Sequence, residues 1–382
     1  MTFLSRIKAA ARRRLFAPAG PLSPDASTID LDDASIAADP FPHYDRLRAS
    51  GSVQHLAKHG SWIVLGYDDA RHVLGDAATF SNAPYADVDA VLLGADPPRQ
   101  AIVRRVLARR FAAQRLAQLD STAQAAARAL IEHEMDAVSG YAAPISRAVA
   151  ADLIGFDQSA VADIVEGTRR SLETDAPLAA LIATLDEIAP RAAMFEEIAA
   201  EVGEILGDAE VRSLIRLLWL AATTTTERVI AQAVLRLATD HALAARLRGE
   251  PDLLAPFVEE VLRLHPPEHL LPRATTAPAV IGGVEIPAGA LVQVCVAAAN
   301  RDPVRFEQPH QLRLDRREKR HLAFGSGVHH CLGAPLGRHV VAASLTTLLA
   351  AAPRLRLRTN AADLPFFRTA SALSPLELPI AL

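Results

Sequence analysis

The stretch Phe324-Gly325-Ser326-Gly327-Val328-His329-His330-Cys331-Leu332-Gly333 decides how the rest of the chain is read. It sets one cysteine in a glycine-rich turn. An apolar run from Leu332 to Ala350 comes next, with Leu336, Val340, Leu345, Leu348 and Leu349 at helical spacing. The spacing predicts a helix with Cys331 at or just before its N-terminus. Free N–H groups and the helix dipole favour negative charge there, so they are expected to lower the thiol pKa and keep the sulfur as thiolate. Gly325, Gly327 and Gly333 let the backbone turn tightly and approach a flat ring. Pro335 falls in the first turn, where its missing N–H costs little. Two other readings stand beside this one. Cys331 could be an inert buried cysteine. It could also join His321, His329, His330 and His339 around zinc, although such sites usually show several cysteines at a recognisable spacing.

Outward from the loop, composition narrows the class. The chain has 382 residues, half of them hydrophobic, enough for a sizeable core. A net charge of −4 argues against a dedicated nucleic-acid binder. The two cysteines, Cys295 and Cys331, are far apart, which predicts a reducing, cytoplasmic setting and no disulfide framework. No run of about 18 apolar residues is present, so no membrane-spanning helix is expected. Met1 to Leu15 is short, basic and amphipathic and lacks the apolar core of a signal peptide; a helix lying on a membrane surface is the minor reading there.

Local patterns give the layout. Asp39 to Tyr44 reads as a turn leading into a helix through Arg48, Ser61 to Tyr67 as a strand, and Asp68 to Leu74 as a helix capped by aspartate. Asp96-Pro97-Pro98 opens an arginine-rich helix through Phe111. Leu116 to Leu247 is mostly helical, Ala279 to Cys295 holds strand-like pieces, and short strands run from the last helix to Leu382. The sum is a mainly α, α+β chain: a large helical part with small β-sheets. We divide it into an N-terminal segment, 1–38, and a single catalytic domain, 39–382.

The pattern Phe-Gly-x-Gly-x-His-x-Cys-x-Gly, filled here at every fixed position, resembles the haem-binding loop of the cytochrome P450 superfamily, and the ordering of elements from Asp39 onward is similar to that of its soluble bacterial members. The resemblance implies a haem (heme b) whose iron takes the Cys331 thiolate, a ligand that pushes electron density onto iron and favours O–O cleavage. It also implies that Phe324, Gly325 and Gly333 shape the haem cradle. Glu260-Val261-Leu262-Arg263 resembles the family's structural Glu-x-x-Arg pair, with Arg316, or alternatively Arg313, as the downstream partner. Arg273, Arg104 and His329 match the family's contacts to the haem propionates, and arginine suits carboxylates through its bidentate fork. Gln100 stands where the family places a histidine.

Asp208 to Asp240 reads as one helix of about 45–50 Å. On the family's pattern its centre, Leu220 to Glu227, puts Thr225 at the threonine that assists oxygen activation, with Ala221 and Ala222 against the haem. Ala222 replaces a glycine and Thr224 an acid. Consecutive threonines are expected to kink the helix through hydroxyl bonds to the i−4 carbonyls.

The function this resemblance implies is that of a monooxygenase, inserting one oxygen atom of O₂ into a small, largely hydrophobic molecule in secondary or xenobiotic metabolism. Electrons would come from an external ferredoxin and its reductase, since no flavin or iron–sulfur motif is present. Arg104, Arg105, Arg109, Arg110 and Arg338 are candidates for a basic face toward that donor. Tyr85, Asp87, Asp89, Glu268 and His269 are candidate polar anchors in an otherwise apolar pocket. The missing acid keeps a second function open: a peroxygenase, or a catalyst of coupling or rearrangement. A non-catalytic carrier-binding domain is the third.

Overall fold

The computed structural model describes residues 29–31, 33–172 and 174–382; the Met1 to Leu15 reading lies outside them. Helices dominate. Those that build the site are α1 (Arg99–Ala108), α2 (Ala113–Ala129), α3 (Ala143–Ile154), α4 (Ala193–Val202), α5 (Asp208–Thr239), α6 (Leu254–Leu264) and α7 (Ala334–Ala351). Helix α5 packs against α3, α4, α6 and α7. It is buried on most sides, as its Leu214, Ile215, Ile230 and Val234 show. Asp208 and Glu210 lie in its first turn, where carboxylates complement the helix dipole, and Glu210 accepts the Gly207 N–H at 3.1 Å. Among the described residues no helix is long and apolar enough to cross a membrane.

The strands are few and peripheral. A five-stranded sheet runs β1 (Val53–Leu56), β2 (Ser61–Val64), β8 (Leu291–Cys295), β5 (Leu270–Thr275), β3 (Phe80–Ser81), with only the β2–β8 pair parallel. Its register sets Arg273 opposite Val292 on the inner side of the molecule. A hairpin of β6 (Ala279–Ile281) and β7 (Val284–Ile286) extends it in sequence. Two small sheets close the chain: β10 (Phe366–Thr369) with β11 (Ala372–Pro375), and β12 (Pro379–Ala381) between β4 (Glu134–Asp136) and β9 (Arg356–Leu357).

Several sequence readings shift. The helix after β2 starts at Tyr67, not Asp68, and no side chain caps it. Asp68 and Asp69 act on its first turn, and the Tyr67 N–H is instead taken by the Asp302 carboxylate at 2.8 Å. Strand β4 interrupts the stretch read as helical, because its partner β12 comes from the far end of the chain. Ile29, Leu31 and Ile36 are buried with Tyr44, Leu56 and Ile63, so the packed body begins before residue 39. Helix α5 runs unbroken through its four threonines. The expected hydroxyl bonds are made: Thr223, Thr224 and Thr225 donate to Trp219 O, Leu220 O and Ala221 O at 2.7, 2.7 and 2.6 Å within a continuous helix.

Candidate active site

The cysteine loop is built by its backbone. Cys331 N donates to Phe324 O at 2.8 Å and His330 N to Gly327 O at 3.1 Å, which close the loop on itself. Gly325 and Gly327 hold φ of 68° and 69°, the left-handed region that side chains disfavour. At Gly327 space forbids a side chain as well, since a Cβ would sit 2.6 Å from the Leu74 carbonyl. The result is one accessible thiol: Cys331 is exposed and Cys295 is buried. The thiol pKa is shifted upward, opposite to the direction expected from its place before a helix. Helix α7 begins only at Ala334, and burial pushes the Cys331 pKa up, against the opposing pull of the Gly333 N–H, Arg104 and Arg338. A coordinating metal deprotonates such a thiol outright.

Beneath the loop lies a dense polar frame. Glu260 and Arg263, on consecutive turns of α6, form a bidentate pair at 2.7 and 2.9 Å with both side chains buried. Arg316 Nε donates to the same carboxylate at 2.9 Å, while Arg313 contributes only its backbone N–H at 2.8 Å and turns its side chain to Asp315. Arg316 is therefore the third member. Arg263 also donates to the carbonyls of Asn300, Pro309 and Gln311 at 3.0, 2.6 and 2.9 Å, so the buried charges are satisfied on all sides.

A second frame has no counterpart in the sequence motifs. Glu259 takes Arg338 at 2.7 and 3.0 Å and His321 at 3.2 Å, and the Arg338 guanidinium lies 4.4 Å from the Phe324 ring centroid. It ties α6, α7 and the loop together. Burial pushes the Glu259 carboxyl up, but the hydrogen bonds and charges of His321 and Arg338 outweigh it and hold the pKa at about 2. The doublet Glu259-Glu260 is the one sequence signal that could have pointed to it. His321 belongs to this frame and not to a zinc set. Among the described residues no group of three or more His, Cys, Asp or Glu converges on a metal, which removes the zinc reading.

Around Cys331 other groups are short of partners, in a pattern that suits a flat anionic ligand. Arg273 is 3% exposed, its one hydrogen bond among the described residues goes to the Pro272 carbonyl at 2.8 Å, and no carboxylate there pairs with it. Burial lowers its pKa, partly offset by Tyr85 and Asp96. His329 Nε2 is buried without a hydrogen bond, 3.6 Å from Asp96 Oδ1. Arg104 braces the loop through His330 O at 2.6 Å and keeps its other donors. Gln100 donates one amide N–H to Val328 O at 3.0 Å and leaves Oε1 unpartnered, so it holds the loop. Gly333 leaves the flank of the sulfur open, where a Cβ would come within 3.9 Å of Sγ. Midway along α5, between the buried Leu218 and Val229, Ala221 and Thr224 are exposed and Ala222 and Thr225 half-buried: an uncovered face in mid-core.

Comparison with known proteins agrees with this geometry. The family model "Cytochrome P450" matches residues 158–351. Cytochrome P450 monooxygenase PikC of Streptomyces venezuelae is 30% identical over 94% of this chain and 94% of its own. This chain belongs to the cytochrome P450 family. Cytochrome P450 105C1 of a Streptomyces species is 32% identical over 84% of this chain and 88% of its own. Among solved structures, CYP109Q5 from Chondromyces apiculatus superposes with a TM-score of 0.83 at 26% identity, covering 93% and 98% of the two chains. CYP109E1 from Bacillus megaterium, solved with testosterone, gives 0.80 at 25% identity, covering 90% and 98%. The chain is thus an oxidoreductase of the P450 monooxygenase type, with haem held through a cysteine thiolate, acting on a small molecule with electrons from a redox partner.

In this P450 the arginines offered as a basic face are mostly engaged already. Arg109 pairs with Glu201 at 3.3 Å, Arg110 with Glu197 and Glu201 at 3.2 Å each, and Arg338 with Glu259. Of the five, Arg105 is exposed and forms no ion pair among the described residues. Helix α4 supplies the neutralising carboxylates, a contact invisible from the arginine-rich run alone.

Proposed function

We propose that Cys331 ligates the iron of heme b, that Arg273, Arg104 and His329 meet its two carboxylates, and that Phe324, Gly325 and Gly333 shape the proximal cradle. The faces of Ala221, Ala222, Thr224 and Thr225 cover the distal side. The observation that carries this reading is the buried guanidinium of Arg273, without a carboxylate partner among the described residues and close enough to act on His329, two residues before the exposed Cys331. An unpaired buried cation is costly, and a propionate removes the cost. The substrate class we infer is a small, largely hydrophobic molecule of secondary or xenobiotic metabolism, with electrons from a ferredoxin and its reductase in the cytoplasm. PikC, a monooxygenase by name, and the testosterone-bound CYP109E1 support that class.

Bound haem supplies O₂ activation and transfer of one oxygen atom, the other leaving as water with two electrons and two protons. The chain's own residues set how protons arrive. Thr225 gives its hydroxyl proton to Ala221 O, so toward the open face it offers lone pairs and accepts a hydrogen bond from a water or hydroxyl. Thr224 is likewise engaged with Leu220 O and does not ionise. Protons therefore travel through water on this face, with no carboxylic acid at position 224.

The reduced carbon monoxide spectrum tests the ligand. Wild-type protein and Cys295→Ser are expected to show the thiolate-type Soret band and Cys331→Ser to lose it; retention in Cys331→Ser overturns the assignment. Thr224 also favours a second reading, a peroxygenase. Turnover with hydrogen peroxide that matches turnover with a ferredoxin system would select it; peroxide turnover that is slow beside the ferredoxin system would exclude it.

A further inference from the structure

Five side chains are candidate polar anchors for a substrate on sequence grounds, and the structure sorts them. Asp89 is fully engaged: its carboxylate accepts the N–H groups of Leu92 and Leu93 at 2.7 and 2.8 Å and the Ser213 hydroxyl at 2.9 Å. His269 is buried, packed against the rings of Phe41 and Tyr44 at 5.8 and 6.4 Å, and burial holds it neutral with a pKa of about 3. Asp87 is exposed in the loop beyond Tyr85. Tyr85 and Glu268 remain: the turn that carries Tyr85 packs on β5, Glu268 lies just before that strand, and the two groups feel each other's charge.

Glu268 lies just before β5. One oxygen, Oε1, accepts Arg228 Nη1 at 2.7 Å, and Oε2 takes no hydrogen bond among the described residues. Its side chain keeps 42% of its surface accessible, yet burial pushes its pKa up against the pull of Arg228. A ligand can reach the space that this accessible surface borders. Arg228 sits three residues past Thr225, one turn along the same face of α5. It is pinned: the same nitrogen donates to Pro267 O at 3.0 Å, and the guanidinium lies 5.2 Å from the Phe367 ring centroid. Tyr85 ends a short 3₁₀ turn, Ala83–Tyr85, that packs on β5. Its phenol is hydrogen-bonded to nothing among the described residues. Burial raises its pKa, so the phenol stays protonated; the charge of Arg273 lowers it in part and that of Glu268 adds a smaller rise.

One carboxylate oxygen and one phenol are thus left without a hydrogen bond among the described residues. Charge decides what they suit. Glu268 and Arg228 already balance, so a cationic ligand would leave a net positive charge beside Arg228, and an anionic one would face the carboxylate. A neutral hydroxyl donates to Oε2 of Glu268 and accepts from the Tyr85 phenol at once. We propose that Glu268, positioned by Arg228, and Tyr85 form a clamp on the distal wall that binds a hydroxyl group of an otherwise apolar substrate and so sets specificity. The proposal rests on the reading of Cys331 as haem ligand and of the Thr225 face as distal.

The test uses purified holoprotein and two probes that differ only in the donor, dodecan-1-ol and its methyl ether, with dodecyltrimethylammonium as the cationic arm. Affinities are read by calorimetry. Wild-type protein is expected to bind the alcohol about tenfold more tightly than the ether, the size of one hydrogen bond to a charged acceptor, and the cation no better than the ether. Glu268→Gln keeps the shape and the bond to Arg228 but turns an NH₂ toward the space, so the alcohol preference falls to about one or inverts. Tyr85→Phe removes the donor that the oxygen of either probe accepts, so alcohol and ether should both bind about threefold less tightly while the preference between them stays; unchanged binding of both would remove Tyr85 from the clamp. Equal binding of alcohol and ether by wild type, binding of neither, tighter binding of the cation, or an unchanged preference in Glu268→Gln overturns the clamp. The Soret band of the same samples separates the two levels. Its absence in wild type breaks the haem reading, and its presence with an unaltered preference in Glu268→Gln breaks the clamp alone.

Discussion

The two sides of the Cys331 site are built on opposite principles. On the cysteine side almost every polar atom of the frame has a protein partner: Arg263 alone makes five hydrogen bonds, to both oxygens of Glu260 and to three carbonyls. On the threonine side the hydroxyls turn back onto their own helix, while Glu268 Oε2 and the Tyr85 phenol have no partner among the described residues. A fully bonded buried network is rigid, and losing one member is expensive. An accessible wall with spare acceptors tolerates change and reads a ligand. On the proposed reading, the cysteine side would hold the haem and the threonine side would meet the substrate.

The sharpest way to break that contrast is to cut the same kind of pair on each side. Arg263→Ala leaves Glu260 as a buried carboxylate with half its partners gone and is expected to cost about 3–5 kcal/mol, read as a fall in the urea midpoint or as loss of soluble holoprotein. Arg228→Ala frees a carboxylate that already faces open space, and should cost about 1 kcal/mol or less. Equal losses would show that the two sides do not differ in rigidity.

Acid is the next probe. Glu259 has a folded pKa of about 2, below its ordinary 4.5. A depressed carboxyl contributes stability that is present above the unfolded value and lost as pH falls through the folded one. The shift corresponds to about 3 kcal/mol. Wild type should therefore exceed Glu259→Gln in stability at pH 7 by about that amount, with the gap closing between about pH 4.5 and pH 2. A gap constant across that window would remove Glu259 from the frame.

The contrast also explains what is legible in the sequence. The cysteine loop, the Glu260–Arg263 pair and the limits of α5 are readable because each depends on residues close in sequence: a turn, an i,i+3 pair, a periodic run. Arg316 is the right choice over Arg313, although Arg313 contributes its N–H. What fails depends on distant partners. Glu259 needs His321 and Arg338, strand β4 needs β12, and the arginines after α1 need Glu197 and Glu201 on α4. The thiol fails for another reason. A helix N-terminus three residues away is a weak source of charge, and burial outweighs it. Tyr85 and Glu268 can be named but not chosen, because accessibility in the fold has no sequence signature.

Arg273 bridges the two sides and yields a prediction of opposite signs. Arg273→Met replaces a buried cation that lacks a carboxylate partner, so the haem-free protein should be no less stable than wild type, and even slightly more so. Haem affinity should fall about tenfold, the loss of one charge-assisted contact, measured by transfer to apomyoglobin. Destabilisation of the haem-free protein with unchanged haem affinity would make Arg273 a structural residue.

The smallest expected change in stability belongs to the threonines. Thr223 and Thr225 are chemically alike and both bond an i−4 carbonyl, but Thr223 is 8% exposed and faces the core, while Thr225 borders the open face. Replacing either by valine keeps the branched shape and removes a bond made within the helix, so stability should move by less than about 1 kcal/mol in both. Function should separate them. Thr225→Val deletes the lone pairs offered to water on the distal face, so the fraction of reductant converted to product should drop several-fold while reductant consumption continues. Thr223→Val should leave that fraction unchanged. If both variants lose it alike, the effect runs through helix geometry and Thr225 has no particular part in handling protons. If neither does, water alone supplies them, and the distal side is more permissive still.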